Sequence, residues 1–92
     1  MVVVAVVGWI KFKSTYSRRT FAALNPSKNQ IRVFISIDPS NFDDPRKIAR
    51  TSSSTGLWGR NFPIEFRIYD NSDVDYAMKL LRQAHDFSLR FK

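Results

Sequence analysis

The side chains that could carry out acid–base or nucleophilic chemistry are few in this chain. It has one histidine and no cysteine, which excludes thiol nucleophiles and every zinc or iron–sulfur site built on cysteine. His85 lies beside an apolar stripe near the end of a predicted helix, and no serine stands in a recognisable nucleophile motif. We therefore expect a domain that is not an enzyme and that holds no cofactor and no metal.

One acidic pattern resembles a calcium-binding loop. Asn71, Asp73 and Asp75 match the first three ligand positions, but the sixth position is Tyr76 instead of glycine and the twelfth is Arg82 instead of glutamate. Acidic residues are also favoured at the start of a helix, where the helix dipole is positive. Helix capping is the interpretation that we adopt.

A second acidic pattern leaves a nuclease as an alternative. Glu65 and Arg67 flank Phe66 on a predicted strand, and metal-dependent nucleases bring such carboxylates together to hold magnesium. Three further acids lie upstream: Asp38, Asp43 and Asp44. Alternation of Glu65 and Arg67 on the solvent face of a strand explains the same pattern without any metal.

Positive charge is concentrated in the N-terminal part of the chain. Its 92 residues include 15 Lys and Arg against 8 Asp and Glu, a net charge of +7. Residues 1–37 contain six of these cations and no acid, so most of the excess lies there. Such an excess attracts phosphates or an anionic surface, although solubility alone would also explain it.

The alternation of apolar residues predicts a single α+β domain over residues 1–92, with an antiparallel sheet of about four strands. The predicted strands cover 1–13 with a bulge at Gly8, then 19–24, 31–37 and 62–69. Asp44 and Pro45 predict a short helix near 45–50, since proline favours the first helical position. The Ser- and Gly-rich residues 51–59 are predicted to form a loop.

A C-terminal helix is predicted over residues 73–91, packed on one face of the sheet. Ser72 is its predicted N-cap, with Asp75 completing a capping box. Helical spacing defines the stripe that should face the sheet: Val74, Ala77, Met78, Leu81 and Ala84.

The first ten residues form an apolar, valine-rich run. This run is too short to span a bilayer and lacks the basic residues that precede a secretory signal, so we expect a cytoplasmic domain with no membrane partner. An exposed strand this apolar would aggregate. We therefore predict that both of its edges are paired, or that one edge pairs with a second copy to form a homodimer.

Cations and aromatic residues coincide on the strand faces opposite the apolar rows. The predicted nucleic-acid-binding residues are Lys11, Lys13, Arg18, Arg19, Arg32, Phe34, Arg67 and Tyr69, with Trp9 nearby. Cations offset backbone phosphates, and ring faces stack on bases for roughly 1 to 3 kcal/mol each. The same aromatic residues could instead anchor a partner, which leaves two hypotheses: an accessory nucleic-acid-binding domain, or a homodimerisation or protein-interaction module.

The order of several motifs resembles a known but uncharacterised family. The motifs are Trp9-Ile10-Lys11-Phe12-Lys13, Phe21-Ala22-Ala23-Leu24-Asn25-Pro26, Asp43-Asp44-Pro45, Gly56-Leu57-Trp58-Gly59, and Asp73-Val74-Asp75-Tyr76-Ala77 followed by Leu80-Leu81-Arg82-Gln83-Ala84-His85. They resemble a bacterial and archaeal domain often labelled "predicted transport protein", which occurs as a C-terminal appendage on restriction-endonuclease-like proteins. The layout is also similar to YjbR-type domains.

The resemblance implies an antiparallel sheet backed by a C-terminal helix and an accessory role beside nucleic-acid enzymes. It brings no catalytic residues with it. The family usually has further residues, often helical, before the first strand, and the valine-rich run stands in their place here. That departure favours self-association.

Overall fold

Period-two alternation of apolar side chains produces an antiparallel sheet that carries a helix on one face. The computed structural model describes residues 2–6, 8–15, 19–52 and 56–90. These residues form the strands β1 (Val2–Val6), β2 (Trp9–Lys13), β3 (Thr20–Pro26), β4 (Ile31–Ile35), β5 (Arg50–Thr51) and β6 (Ile64–Ile68), with the helices α1 (Gly56–Asn61) and α2 (Val74–Ser88). The spatial order is β1-β2-β3-β4-β6-β5, with every neighbouring pair antiparallel. The predicted α+β class is confirmed.

The valine-rich segment is a strand of its own. Gly8 has φ of 78°, in the left-handed region that glycine adopts without strain, and the chain reverses there. β1 therefore folds back onto β2, with Val2 opposite Lys13. Asn25 on β3 donates from Nδ2 to the Gly8 carbonyl at 2.6 Å and fixes this turn. The expected four strands become six because β1 separates from β2 and the short β5 pairs with β6.

The predicted helix near 45–50 is wrong, since the chain turns there. Lys47 has φ of 55°, which is incompatible with a continuous helix. The Asp44 carboxylate accepts a hydrogen bond from the Ala49 amide at 2.8 Å and another from the Tyr76 hydroxyl. Loss of solvent around Tyr76 and its bond to Asp44 raise the pKa of the Tyr76 hydroxyl. Asp44 thus closes a turn and ties it to α2 instead of capping a helix.

A short 3-10 helix, Asn71–Asp73, leads into α2, and the capping box lies two residues nearer the N-terminus than predicted. Asp70 accepts a hydrogen bond from the Ser72 amide at 2.8 Å, and Asp73 accepts one from the Asp70 amide at 3.4 Å. The hydroxyl and amide of Ser72 hold the pKa of Asp70 below its ordinary value. The predicted Ser72–Asp75 box is wrong because the chain already turns two residues earlier, where aspartate is an equally good cap.

The main core lies between α2 and the sheet. Its fully buried members are Phe21, Ala22, Val33, Ile35, Ile37, Ile64, Phe66, Ala77, Leu80 and Ala84. The buried stripe of α2 is rotated from the predicted one, because Val74 and Met78 are 41% and 56% exposed. The small side chains of Ala77 and Ala84 allow close approach to the sheet, and Leu80 fills the space between them.

A smaller cluster lies on the opposite face of the sheet. It consists of Ala23, Phe34 and Phe62, with Trp9 packed against it. Phe62 is the first residue of the strand predicted over 62–69, but it precedes β6 and belongs to this second cluster. It follows directly on α1, which forms where residues 51–59 were predicted to be a loop.

We predict that Tyr76→Phe loosens the segment before β5 without unfolding the sheet. The Tyr76 hydroxyl donates to Asp44 and accepts from the Arg46 amide at 2.9 Å, so its removal breaks the tether. Amide hydrogen exchange measured by NMR should accelerate at Arg46 and Ala49. Tyr69→Phe, at a residue 64% exposed, is the control and should change neither amide. Unchanged protection at Arg46 in the Tyr76 variant would contradict the tether.

Candidate nucleic-acid interface

A row of paired residues crosses the sheet from Lys11 to Arg50. Lys11 lies opposite Ala23, Ala23 opposite Phe34, Phe34 opposite Glu65, and Glu65 opposite Arg50. Residues that pair directly across an antiparallel sheet share a face. Ala23 and Phe34 belong to the smaller cluster and not to the core under α2, so this row lies on the side of the sheet away from α2. We refer to this side as the second face.

Two arginines and a second lysine lie on the same side. Arg32 precedes Phe34 by two residues, and its direct partner on β6 is Arg67. Lys13 follows Lys11 by two residues, and β1 pairs with both without a change of register. The second face therefore carries every Lys and Arg of the described strands: Lys11, Lys13, Arg32, Arg50 and Arg67. Glu65 is the one acidic residue in these strands.

Glu65 is buried under two guanidinium groups. Its side chain is 1% exposed, with Arg32 Nη2 3.3 Å from Oε2 and Arg50 Nε 3.6 Å from Oε1. The expectation that Glu65 lies on the solvent face is therefore wrong. A buried carboxylate requires such partners because its desolvation is costly. Arg32 and Arg50 keep 33% and 62% of their side-chain surface exposed, so both still reach solvent.

Arg67 has a different environment from Arg32. Its Nη1 donates to Gln30 Oε1 at 3.5 Å, and no carboxylate among the described residues forms an ion pair with it. The Nε atoms of both arginines are buried and have no hydrogen-bond partner within the described part of the chain. Arg67 therefore contributes a positive charge that no carboxylate of the described ranges neutralises through an ion pair.

The aromatic residues of the second face differ in accessibility. Phe34 is 2% exposed, with its ring 5.7 Å from Trp9 and the Arg32 guanidinium carbon 5.0 Å above it. This burial corrects the expectation that Phe34 stacks on bases, because its ring supports the surface from below. Tyr69, just after β6, is 64% exposed, and Trp9 is half-buried. Tyr69 and Trp9 are therefore two rings, among the described residues, that a base could reach.

The structure distributes the remaining predicted site residues as follows. Lys11 and Lys13 are half-buried on the second face, and Arg19 is exposed at the start of β3. Arg19 and Lys11 border one cavity of about 360 Å³ with Asn61 and Phe62. Arg18 lies outside the described residues.

Sequence reasoning missed Arg50. Asp44 and Pro45 predict a helix near 45–50, and a residue in that helix would not lie on a face of the sheet. Its placement depends on a two-residue strand that forms because β6 is available to pair with it. The Thr51 that follows it is compatible with a strand, but two residues are too few for a period-two pattern.

The groups considered for enzymatic chemistry have other roles. His85 lies on the α2 side of the sheet with its ring edge-on to Phe21 at 5.1 Å, and its Nδ1 lies 3.5 Å from Asp86 Oδ1. Asp70 and Asp73 cap the start of α2. Within the described ranges no three His, Cys, Asp or Glu side chains lie together as a metal site would need. No helix of the described residues has the length and apolar character needed to cross a bilayer.

Comparison with known proteins gives a distant relative. The chain is 30% identical over 76 residues to an uncharacterised protein of Haemophilus influenzae. The match covers 83% of this chain and 24% of that protein, so the chain spans about a quarter of its relative's length. No family model matches the sequence. No solved structure matches it either. Membership of the "predicted transport protein" family stays a prediction.

We predict that Glu65→Gln lowers the free energy of unfolding by about 1 to 3 kcal/mol, because it removes the buried charge that two arginines surround. Urea denaturation followed by circular dichroism measures the change. Asp75→Asn is the matched control, since Asp75 is exposed at the start of α2 and its substitution should be much less destabilising. Equal midpoints for the two variants would show that the Glu65 ion pairs do not stabilise the sheet.

Proposed function

We propose that this chain is a non-enzymatic accessory domain that binds nucleic acid through the second face of its sheet. The observation that carries the proposal is that every Lys and Arg of the described strands lies on that face. Glu65 is the one acidic residue of these strands. Clustered Lys and Arg side chains bind phosphates and release the counterions that surround them. A sheet face with this charge is a suitable surface for a polyanion.

The distribution of rings favours single-stranded over double-stranded nucleic acid. Trp9 lies on β2 and packs against the cluster around Phe34, and Tyr69 follows Arg67 by two residues, just beyond the end of β6. A single strand lying across the second face would bring its phosphates to Arg32 and Arg67, and its unpaired bases could stack on Trp9 and Tyr69. A duplex would present its phosphates but would keep its bases away from both rings.

The accessory role is supported by the length of the relative. This chain corresponds to 24% of the Haemophilus influenzae protein, which leaves most of that protein for other functions. The family resemblance implies the same arrangement, with the domain appended to nucleic-acid enzymes. A domain that contributes a binding surface, while another part of the protein carries the catalytic groups, fits this arrangement.

We predict that Lys11→Gln combined with Lys13→Gln weakens the salt dependence of binding. The logarithm of affinity should fall with the logarithm of salt concentration, and the slope should decrease by roughly 0.7 for each single-strand phosphate that the variant no longer neutralises. Fluorescence anisotropy of a labelled single-stranded oligonucleotide measures both slopes. Lys79→Gln combined with Arg82→Gln is the charge-matched control on α2 and should leave the slope unchanged.

Two outcomes would contradict the proposal. One is a titration whose affinity does not depend on salt, which would favour a protein-interaction module. The other is an equal decrease of slope in the α2 control, which would show that net charge and not the second face governs binding. Glu65→Gln supplies the opposite perturbation: it frees Arg32 and Arg50 for phosphates and should steepen the slope although it destabilises the fold.

A second candidate function, homodimerisation, is favoured by the position of β1. This strand is at one end of the sheet, and its outer edge has no partner strand among the described residues. Val3 is 54% exposed on it. Beside it, an apolar cavity of about 410 Å³ is lined by Phe12, Phe21, Met78 and Leu81 together with Arg82 and His85. We propose that β1 pairs with β1 of a second copy, since an open apolar edge is a template for strand pairing.

We predict that Val3→Lys prevents this dimer, because a charge on an edge strand opposes pairing. Light scattering at high protein concentration should give the mass of two chains for the wild type and one chain for the variant. Val74→Lys is the control, since it adds the same charge at an exposed valine on α2. A monomer mass for the wild type at high concentration would overturn the homodimer.

A further inference from the structure

Two arginines face each other directly across neighbouring strands. Arg32 on β4 is the register partner of Arg67 on β6. Side chains at directly opposed positions have Cβ atoms about 5 Å apart, and like charges in such pairs destabilise a sheet. The arrangement needs a source of negative charge to be favourable.

The protein supplies that charge to one of the two arginines. Glu65 is shared between Arg32 and Arg50, at 3.3 and 3.6 Å. The Asp73 carboxylate, which lines the same cavity as Arg67, accepts hydrogen bonds from the Tyr69 and Asp70 amides after β6 and forms no ion pair of 4.0 Å or less with Arg67. Among the described residues, Glu65 therefore pairs with Arg32 and Arg50, and Arg67 has no carboxylate within 4.0 Å.

Two N–H groups, one on Arg32 and one on Arg67, also have no acceptor among the described residues. Arg67 has one partner in the described part of the chain, the neutral Gln30 amide oxygen at 3.5 Å. The Nε atoms of Arg32 and Arg67 are buried without a partner, and such atoms cost free energy and call for an explanation. Gln30 uses its oxygen toward Arg67, which leaves its amino group to donate to another acceptor.

We propose that a phosphate-class oxyanion binds between Arg32 and Arg67, with the Gln30 amino group as a third donor. The planar guanidinium fork matches the oxygens of a phosphate, and charge-assisted hydrogen bonds of this kind are the strong ones. The proposal rests on the proposed function where the oxyanion is a phosphodiester of nucleic acid. A free phosphate or a phosphomonoester presents the same chemistry to the same three side chains.

Arg67→Gln tests the site without breaking an ion pair, and Arg67→Lys keeps the charge but removes the fork. The probes are inorganic phosphate and, at equal ionic strength, chloride. Phosphate should raise the melting temperature of the wild type above its value in chloride and shift the NMR signals of the Arg32 and Arg67 Nε–H groups. Arg67→Gln should weaken phosphate binding about tenfold, with Arg67→Lys intermediate. Arg82→Gln on α2 should behave as the wild type.

The outcomes separate this inference from the proposed function. A phosphate response that disappears in Arg67→Gln supports the site, and it supports it equally if no oligonucleotide binds, in which case free phosphate or a phosphomonoester is the ligand. No difference between phosphate and chloride, or a full response in Arg67→Gln, overturns the site. Oligonucleotide binding whose affinity and salt slope are the same in Arg67→Gln overturns a phosphodiester of nucleic acid as the ligand of this site while leaving the proposed function in place.

Discussion

The buried carboxylate of Glu65 links three strands through charge. It lies on β6 and is reached by Arg32 from β4 and by Arg50 from β5. A carboxylate that is 1% exposed is tolerable in the fold only with such partners, because its desolvation would otherwise cost several kcal/mol. The strand β5 has two residues and depends on this ion pair as well as on its ladder hydrogen bonds. The charge of the second face follows from the same constraint, since satisfying one acid brings two arginines together.

The two faces of the sheet are stabilised in different ways. α2 covers one face through small residues and Leu80, which bury apolar surface without polar atoms. The other face has a small apolar cluster around Phe34 and the buried Glu65, whose partners Arg32 and Arg50 keep part of their side chains in solvent. The Lys and Arg side chains concentrate positive charge on this face, and Glu65 neutralises part of it.

Local periodicity predicts the strand β4 well, although it misplaces the buried stripe of α2, where Val74 and Met78 are exposed. Ile31, Val33 and Ile35 alternate with Arg32, and this alternation predicts the strand, its two faces and the position of Arg32 correctly. Other errors arise where residues distant in sequence decide the local structure. Asp44 forms a turn and not a helix because Tyr76, 32 positions later, bonds to it. The burial of Glu65 likewise depends on arginines from two other strands, which no window of sequence around it contains.

The two proposed interactions use different parts of the molecule and are compatible with each other. Phosphates would lie on the second face, and a second copy would pair at the outer edge of β1. Two β1 strands that pair antiparallel are related by a two-fold axis perpendicular to the sheet. Such an axis leaves the second faces of both copies on the same side, as one continuous cationic surface. A nucleic acid long enough to cross the β1 junction would then bind both copies at once, and the second contact would form at a high effective concentration. Dimerisation and nucleic-acid affinity would therefore be coupled although no residue of β1 contacts a phosphate.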